Sequence, residues 1–344
     1  MPRKFDRLLT LAAAFPLVLL LLLVSTLLFA LPAHAQEVTS CQARNLLPDE
    51  KANNPKGYAE LEAIAKAIPN GDHIFWKVEK PGHEPSWLLG TMHITDPRVT
   101  AMPPAARDAF ADADSVVLES DEILDPKKAA IALFSKAEYS TFVDGTTLTA
   151  LLSPEDLATV NAALKPKGLS VEGLNRMKPW LVASVLSLPS CEVSRKNKGA
   201  LFLDMKLAVQ ARKAGKEVLG VETLAEQFDA MNKVPLERHI KSLVGAAKSV
   251  DKINDAIETM INLYLEGQIG MIMPALGMLG AEVEGSSEFE KLMILDRNRI
   301  MADRGAVLLD RGNVFMAVGA LHLPGEGGVI ELLRKRGFTV TPVS

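Results

Sequence analysis

Apolar positions along this chain follow two rhythms. Near each end they come as short continuous runs, and through the centre they recur at three- and four-residue steps. Ile74-Phe75-Trp76-Lys77-Val78 and Trp87-Leu88-Leu89 flank the turn signal Lys80-Pro81-Gly82, which predicts a β-hairpin. A helix over 104–113 and a buried strand at Val116-Val117-Leu118 follow. Ser153-Pro154-Glu155-Asp156 then supplies an N-cap, a first-turn proline and two acids, so a helix starts there and shows Leu157, Val160 and Leu164 on one face. Leu203, Leu207 and Ala211 mark another helix, with Gly215 as its stop, before a strand over 218–221. Further helices are expected over 252–265 and 288–303. The alternation returns with a strand over 314–318, a helix over 329–335 and a terminal strand over 338–343. Residues 36–72 are polar, with one helical stretch over 58–68.

Continuous rather than alternating apolar strands imply a sheet covered on both faces. The expected fold is therefore α/β: a central, mostly parallel or mixed sheet between helical layers. A large helical insertion at about 125–311 separates its two halves, and residues 36–344 form one domain. The 344-residue chain is long enough for a substantial core.

The amino terminus changes the picture. Arg3, Lys4 and Arg7 precede an uncharged stretch over 8–30 and the small-x-small site Ala33-His34-Ala35. This is the pattern of an export signal cleaved after Ala35, with a retained membrane anchor as the alternative. Pro16 inside the apolar run favours cleavage. Loss of residues 1–35 removes three bases and one acid from the formal charge of −4, leaving −6. No basic stripe suggests a nucleic-acid partner. The expected location is outside the cytoplasmic membrane, periplasmic or secreted. Cys41 and Cys191 are the only cysteines, and in an oxidising compartment they are most simply one disulfide. The alternatives are two buried thiols or a lipidated Cys41, and no small-residue lipobox directly precedes Cys41 to favour the latter.

Two segments carry the candidate chemistry. Trp87-Leu88-Leu89-Gly90-Thr91-Met92-His93 and Met316-Ala317-Val318-Gly319-Ala320-Leu321-His322 are both apolar strands running into Gly-x-x-His. A glycine at a strand exit permits a turn or a close approach. The histidine then falls in the crevice beyond the carboxyl end, where open α/β sheets place ligands. His93 and His322 can share a metal, bracket a substrate or serve as structural groups. Glu119 ends the Val-Val-Leu strand, as a metal ligand, a general base or the start of a solvated loop. Glu222 ends the 218–221 strand as a further ligand, or caps the next helix with Thr223. Arg297-Asn298 sits mid-helix, where the arginine clamps carboxylates or lies on the surface. His73, His83 and His239 are expected to be solvated. No Gly-x-Ser-x-Gly, P-loop or His-Glu-x-x-His is present.

In these motifs the chain resembles the TraB/GumN family, which includes the Tiki proteins and is related to the erythromycin esterase and ChaN-like fold. The matching pieces are Leu-Leu-Gly-Thr-Met-His-Ile-Thr-Asp-Pro at 88–97, Val-Val-Leu-Glu at 116–119 and Gly-Lys-Glu-Val-Leu-Gly-Val-Glu-Thr at 215–223. Glu226-Gln227, Arg297-Asn298 and Phe-Met-Ala-Val-Gly-Ala-Leu-His-Leu-Pro-Gly at 315–325 complete the set. Many bacterial members follow the first cysteine with x-Gly, whereas this chain has Cys41-Gln42-Ala43. The resemblance implies a metal-dependent protease using manganese or cobalt, with zinc or iron compatible with the same ligand types. It assigns the metal to His93 and His322 with Glu119 and Glu222, the catalytic groups to Glu119, Arg297 and Asn298, and the close-approach glycines to Gly90 and Gly319. The expected partner is a peptide or protein substrate. The alternative is a non-catalytic protein that sequesters a peptide, haem or polysaccharide fragment.

Overall fold

The structure, a computed structural model, describes residues 41–279 and 286–343. The expected leader, its cleavage site and the possible anchor over 8–30 lie outside those residues. Among the described residues no helix is long and apolar enough to cross a membrane.

Six strands form one mixed sheet: β1 Phe75–Glu79, β2 Ser86–Thr91, β3 Ser115–Leu118, β4 Glu217–Gly220, β5 Val314–Gly319 and β6 Thr339–Pro342. Their order is β4-β3-β5-β2-β1-β6. β4, β3, β5 and β2 run parallel. β1 pairs antiparallel with β2 and with β6, so the expected hairpin is present as the β1–β2 pair. The third and fifth strands of the chain are neighbours, and β5 lies between β2 and β3.

Successive residues of each strand point to opposite faces, and here both faces are dry. Leu89, Val116, Leu118, Phe315 and Ala317 pack into one apolar cluster with helices such as Pro104–Asp112, Pro179–Ser187 and Leu203–Lys213. Leu88, Val117, Val314, Met316 and Val318 pack into a second cluster, against helices including Ile253–Leu265, Asp296–Leu309 and Val329–Arg334. Every residue of β3 and β5 is buried, which is why their sequences read as unbroken apolar runs.

Local signals account for most element ends. Ser153 caps the Pro154–Leu164 helix by accepting from the Asp156 amide. Gly215, at φ 76°, turns the chain out of the Leu203–Lys213 helix. Cys41 and Cys191 are joined, with Cα atoms 5.2 Å apart, tying the start of the described chain to the Ser190–Asn197 helix.

Candidate functional site

The four parallel strands all end at one edge of the sheet, and each delivers a polar residue there. β2 runs through Gly90 to His93, β3 into Glu119, β4 to Glu222 and β5 through Gly319 to His322. All four side chains are buried, between 2% and 6% exposed. The alternatives of a solvated loop at Glu119 and a helix cap at Glu222 are therefore overturned. The cap of the Leu224–Lys233 helix is made instead by Thr223 with Glu226, in a reciprocal capping box.

Arg297 joins the two carboxylates. Its Nε lies 3.1 and 3.0 Å from the two oxygens of Glu222, and its Nη2 donates to Glu222 Oε2 at 2.7 Å and to Glu119 Oε2 at 2.8 Å. A single-turn π segment, Lys291–Leu295, leads into the Asp296–Leu309 helix that carries it. Consecutive Arg297 and Asn298 are both buried on that helix. The surface alternative for Arg297 is thus overturned. Gln227 donates to both carboxylates at 3.4 Å.

The remaining contacts fix each group. The Gly319 amide donates to Glu119 Oε1 at 2.7 Å. Asn298 donates its amide to the Gly327 carbonyl at 2.8 Å, which leaves its Oδ1 facing His322 Nδ1 at 2.6 Å. His322 Nδ1 is therefore the protonated nitrogen, and Nε2 carries the lone pair. That Nε2 lies 3.8 Å from Glu119 Oε1. Gly90 is required by close approach, because a Cβ there would lie 2.8 Å from Leu323 Cδ1 and 3.1 Å from Ala320 Cα.

Electrostatics follow from this packing. Burial alone would raise the Glu119 carboxyl, but the Arg297 charge, the imidazoles and the Gly319 amide outweigh it and hold it at about 2. Burial, with Arg297 nearby, pushes His322 down to about 3, so its imidazole is neutral at physiological pH. Burial also drives Glu222 upward against the pull of Arg297. Arg297 itself is shifted upward: burial opposes its charge, and Glu222 and Glu119 overcome that penalty.

The TraB/PrgY/gumN family profile matches residues 74–342, from the residue before β1 to the end of β6. The chain belongs to the TraB/PrgY/gumN family. Within it, the chain is 26% identical over 320 residues to the metalloprotease TIKI2 of Danio rerio, covering 78% of this chain and 60% of the relative. It is 25% identical over 329 residues to metalloprotease TIKI2 of Xenopus tropicalis, covering 80% and 61%. It is also 25% identical over 318 residues to metalloprotease TIKI1 of Danio rerio, covering 78% and 62%. The chain thus spans about three fifths of the length of these relatives. No solved structure matches it.

The same edge holds residues that sequence reasoning passed over. Asp204, on the first turn of the Leu203–Lys213 helix, is 2% exposed. It accepts from Thr91 Oγ1 at 2.9 Å, and its Oδ1 lies 3.5 Å from His93 Nε2. Phe202 packs on the His93 ring at 5.1 Å between centroids. Tyr264 donates to the Gly90 carbonyl at 2.9 Å, bracing the β2 exit. Behind that exit, Glu192 accepts from both the amide and the hydroxyl of Thr95, at 2.9 and 2.8 Å.

The other histidines lie away from this edge. His83 is exposed and His73 is half-buried beside Asp72 and Trp76. His239 corrects the expectation of a solvated group. It is 4% exposed, with Nε2 3.0 Å from the Met231 carbonyl and Nδ1 without a hydrogen-bond partner. The spacing gave a signal, since His239, Leu243 and Ala246 share the buried face of the Leu236–Lys248 helix.

Among the described residues, no three His, Cys, Asp or Glu side chains converge as a closed metal-ligand set. The donor chemistry nevertheless fits a divalent cation. Two imidazoles have their Nε2 atoms 3.5 and 3.8 Å from carboxylate oxygens, and Asp204 Oδ2 is buried with no hydrogen-bond partner. Glu222, expected as a ligand, has both oxygens occupied by Arg297.

Proposed function

We propose that this chain is an exported, metal-dependent hydrolase acting on peptide bonds. One observation carries the reading: two buried imidazoles, each with Nε2 within 3.5 or 3.8 Å of a buried carboxylate oxygen, lie at the carboxyl edge of four parallel strands. The named metalloprotease relatives support it, although this chain corresponds to only part of their length. The Cys41–Cys191 disulfide is consistent with an oxidising compartment.

In this reading His93, His322 and Glu119 hold the cation. A divalent metal there supplies Lewis-acid activation of water and of the scissile carbonyl. The chain's own groups prepare the site. Asn298 fixes His322 with its Nδ1 proton inward to the amide and its Nε2 available. Arg297 holds Glu119 ionised and offsets part of the repulsion between Glu119 and Glu222. A carboxylate held at about 2 is a weak proton acceptor at neutral pH, which favours Glu119 as a ligand over a general base. Imidazole and carboxylate donors suit manganese, cobalt, iron or zinc, and we take manganese or cobalt as first candidates.

The test is elemental analysis of the purified chain together with cleavage of a peptide library, with and without added manganese. His93→Ala and His322→Ala should each lose bound metal and cleavage, and the double variant should lose little more. Full metal occupancy in both folded variants would overturn the reading.

A further inference from the structure

Three buried carboxylates lie at this edge, and only two of them have both oxygens matched by protein groups. Glu119 accepts from Gly319 and Arg297, and Glu222 accepts from Arg297 at both oxygens. Asp204 is different. Thr91 Oγ1 donates to Oδ1 at 2.9 Å, while Oδ2 is buried without a hydrogen-bond partner and no Lys or Arg among the described residues pairs with it. A buried polar oxygen left unmatched is costly, and native folds rarely keep one without a use.

Its placement suggests the use. Asp204 sits in the first turn of its helix, against the exit of β2. Thr91, which fixes Oδ1, belongs to the same Gly90–His93 strand exit that delivers the imidazole, and His93 Nε2 is 3.5 Å from Oδ1. Oδ1 is thus held by Thr91 and faces His93, while Oδ2 of the same carboxylate is left without a hydrogen bond. Metal-binding carboxylates are commonly oriented in this way.

Resting on the metal-site reading above, we infer that Asp204 binds the cation directly through Oδ2, in the place that sequence reasoning gave to Glu222. Glu222 then serves to hold Arg297, and through it Glu119.

Manganese and cobalt binding to the full chain tests this. In Asp204→Asn the manganese dissociation constant should rise at least about 10-fold. Asp204→Asn should also gain less thermal stability than the wild type on adding manganese. Asp204→Cys with cobalt should show a near-ultraviolet thiolate-to-cobalt charge-transfer band, which a residue that only positions His93 would not produce. If Asp204→Asn does not fold, that cobalt spectrum decides alone. Wild-type affinity in Asp204→Asn, or cobalt-loaded Asp204→Cys without the band, would overturn the assignment while leaving the metal site standing. A wild-type chain that binds neither manganese nor cobalt would overturn both.

Discussion

Arg297 shows how much one side chain can organise. It is 6% exposed and touches two buried carboxylates, so its loss leaves charges that water cannot reach. Arg297→Met should destabilise the chain by about 3–5 kcal/mol, the usual cost of breaking a buried ion pair from one side. Arg297→Lys keeps a charge without the planar fork and should fall between. Urea denaturation measures both, and a loss below about 1 kcal/mol for Arg297→Met would contradict the buried-clamp description. His239 gives a second test. Burial pushes its pKa from 6.5 down to about 4. The folded value lies below the unfolded one, so this group favours the native state above pH 6.5 and withdraws that support as pH falls toward 4. The loss is on the order of 3 kcal/mol. His239→Gln can still donate to the Met231 carbonyl, and its stability curve should lie flatter than that of the wild type between those pH values. Parallel curves would refute the assignment. Single residues were unevenly legible in the sequence. His93, His322 and Glu119 stood out because each ends an apolar strand. Asp204 did not, since an acid in a first helical turn ordinarily answers the helix dipole. Arg297 was ambiguous because a mid-helix arginine has no local mark of burial.

Elements were easier to read than the side chains they carry. The hairpin, the helix after Ser153 and the β5 strand are where turn chemistry and apolar runs put them. Ends shifted by one to three residues at the Pro55–Ala67 helix, expected over 58–68. The 288–303 helix was read as continuous, but it contains the Lys291–Leu295 π turn, which depends on tertiary packing and has no simple sequence mark. The strand exits are tight. Gly90→Ala would force a methyl against Leu323 and Ala320 and should cost about 1–3 kcal/mol. Thermal unfolding checks it, and an unchanged midpoint would show that the β2 exit has slack. Because His93 is only three residues on, the same variant should weaken metal binding in a folded protein.

For the whole molecule, composition and alternation supplied the class, a covered α/β sheet with helices inserted between its halves. They did not supply strand order, because nothing in the segment before Val314 states which two strands will receive it. The disulfide was legible from cysteine count, whereas its place beside the Thr95 brace was not. Cys191 and Glu192 share the Ser190–Asn197 helix, and Glu192 holds Thr95 two residues past His93. Cys41→Ser with Cys191→Ser should cost about 2–5 kcal/mol, measured by denaturation under oxidising conditions. Equal stability of the paired-serine variant and the oxidised wild type would show that this cross-link contributes nothing.

The insertion of β5 between β2 and β3 also governs how the chain is made. Synthesis delivers β2 and β3 early, yet both keep an open edge until Val314–Gly319 has emerged. Native pairing across the middle of the sheet is therefore among the last contacts available, and contacts so distant in sequence form slowly. A polypeptide of this design stays unfinished through most of its own synthesis. That order also leaves the two histidines apart until β5 has joined the sheet.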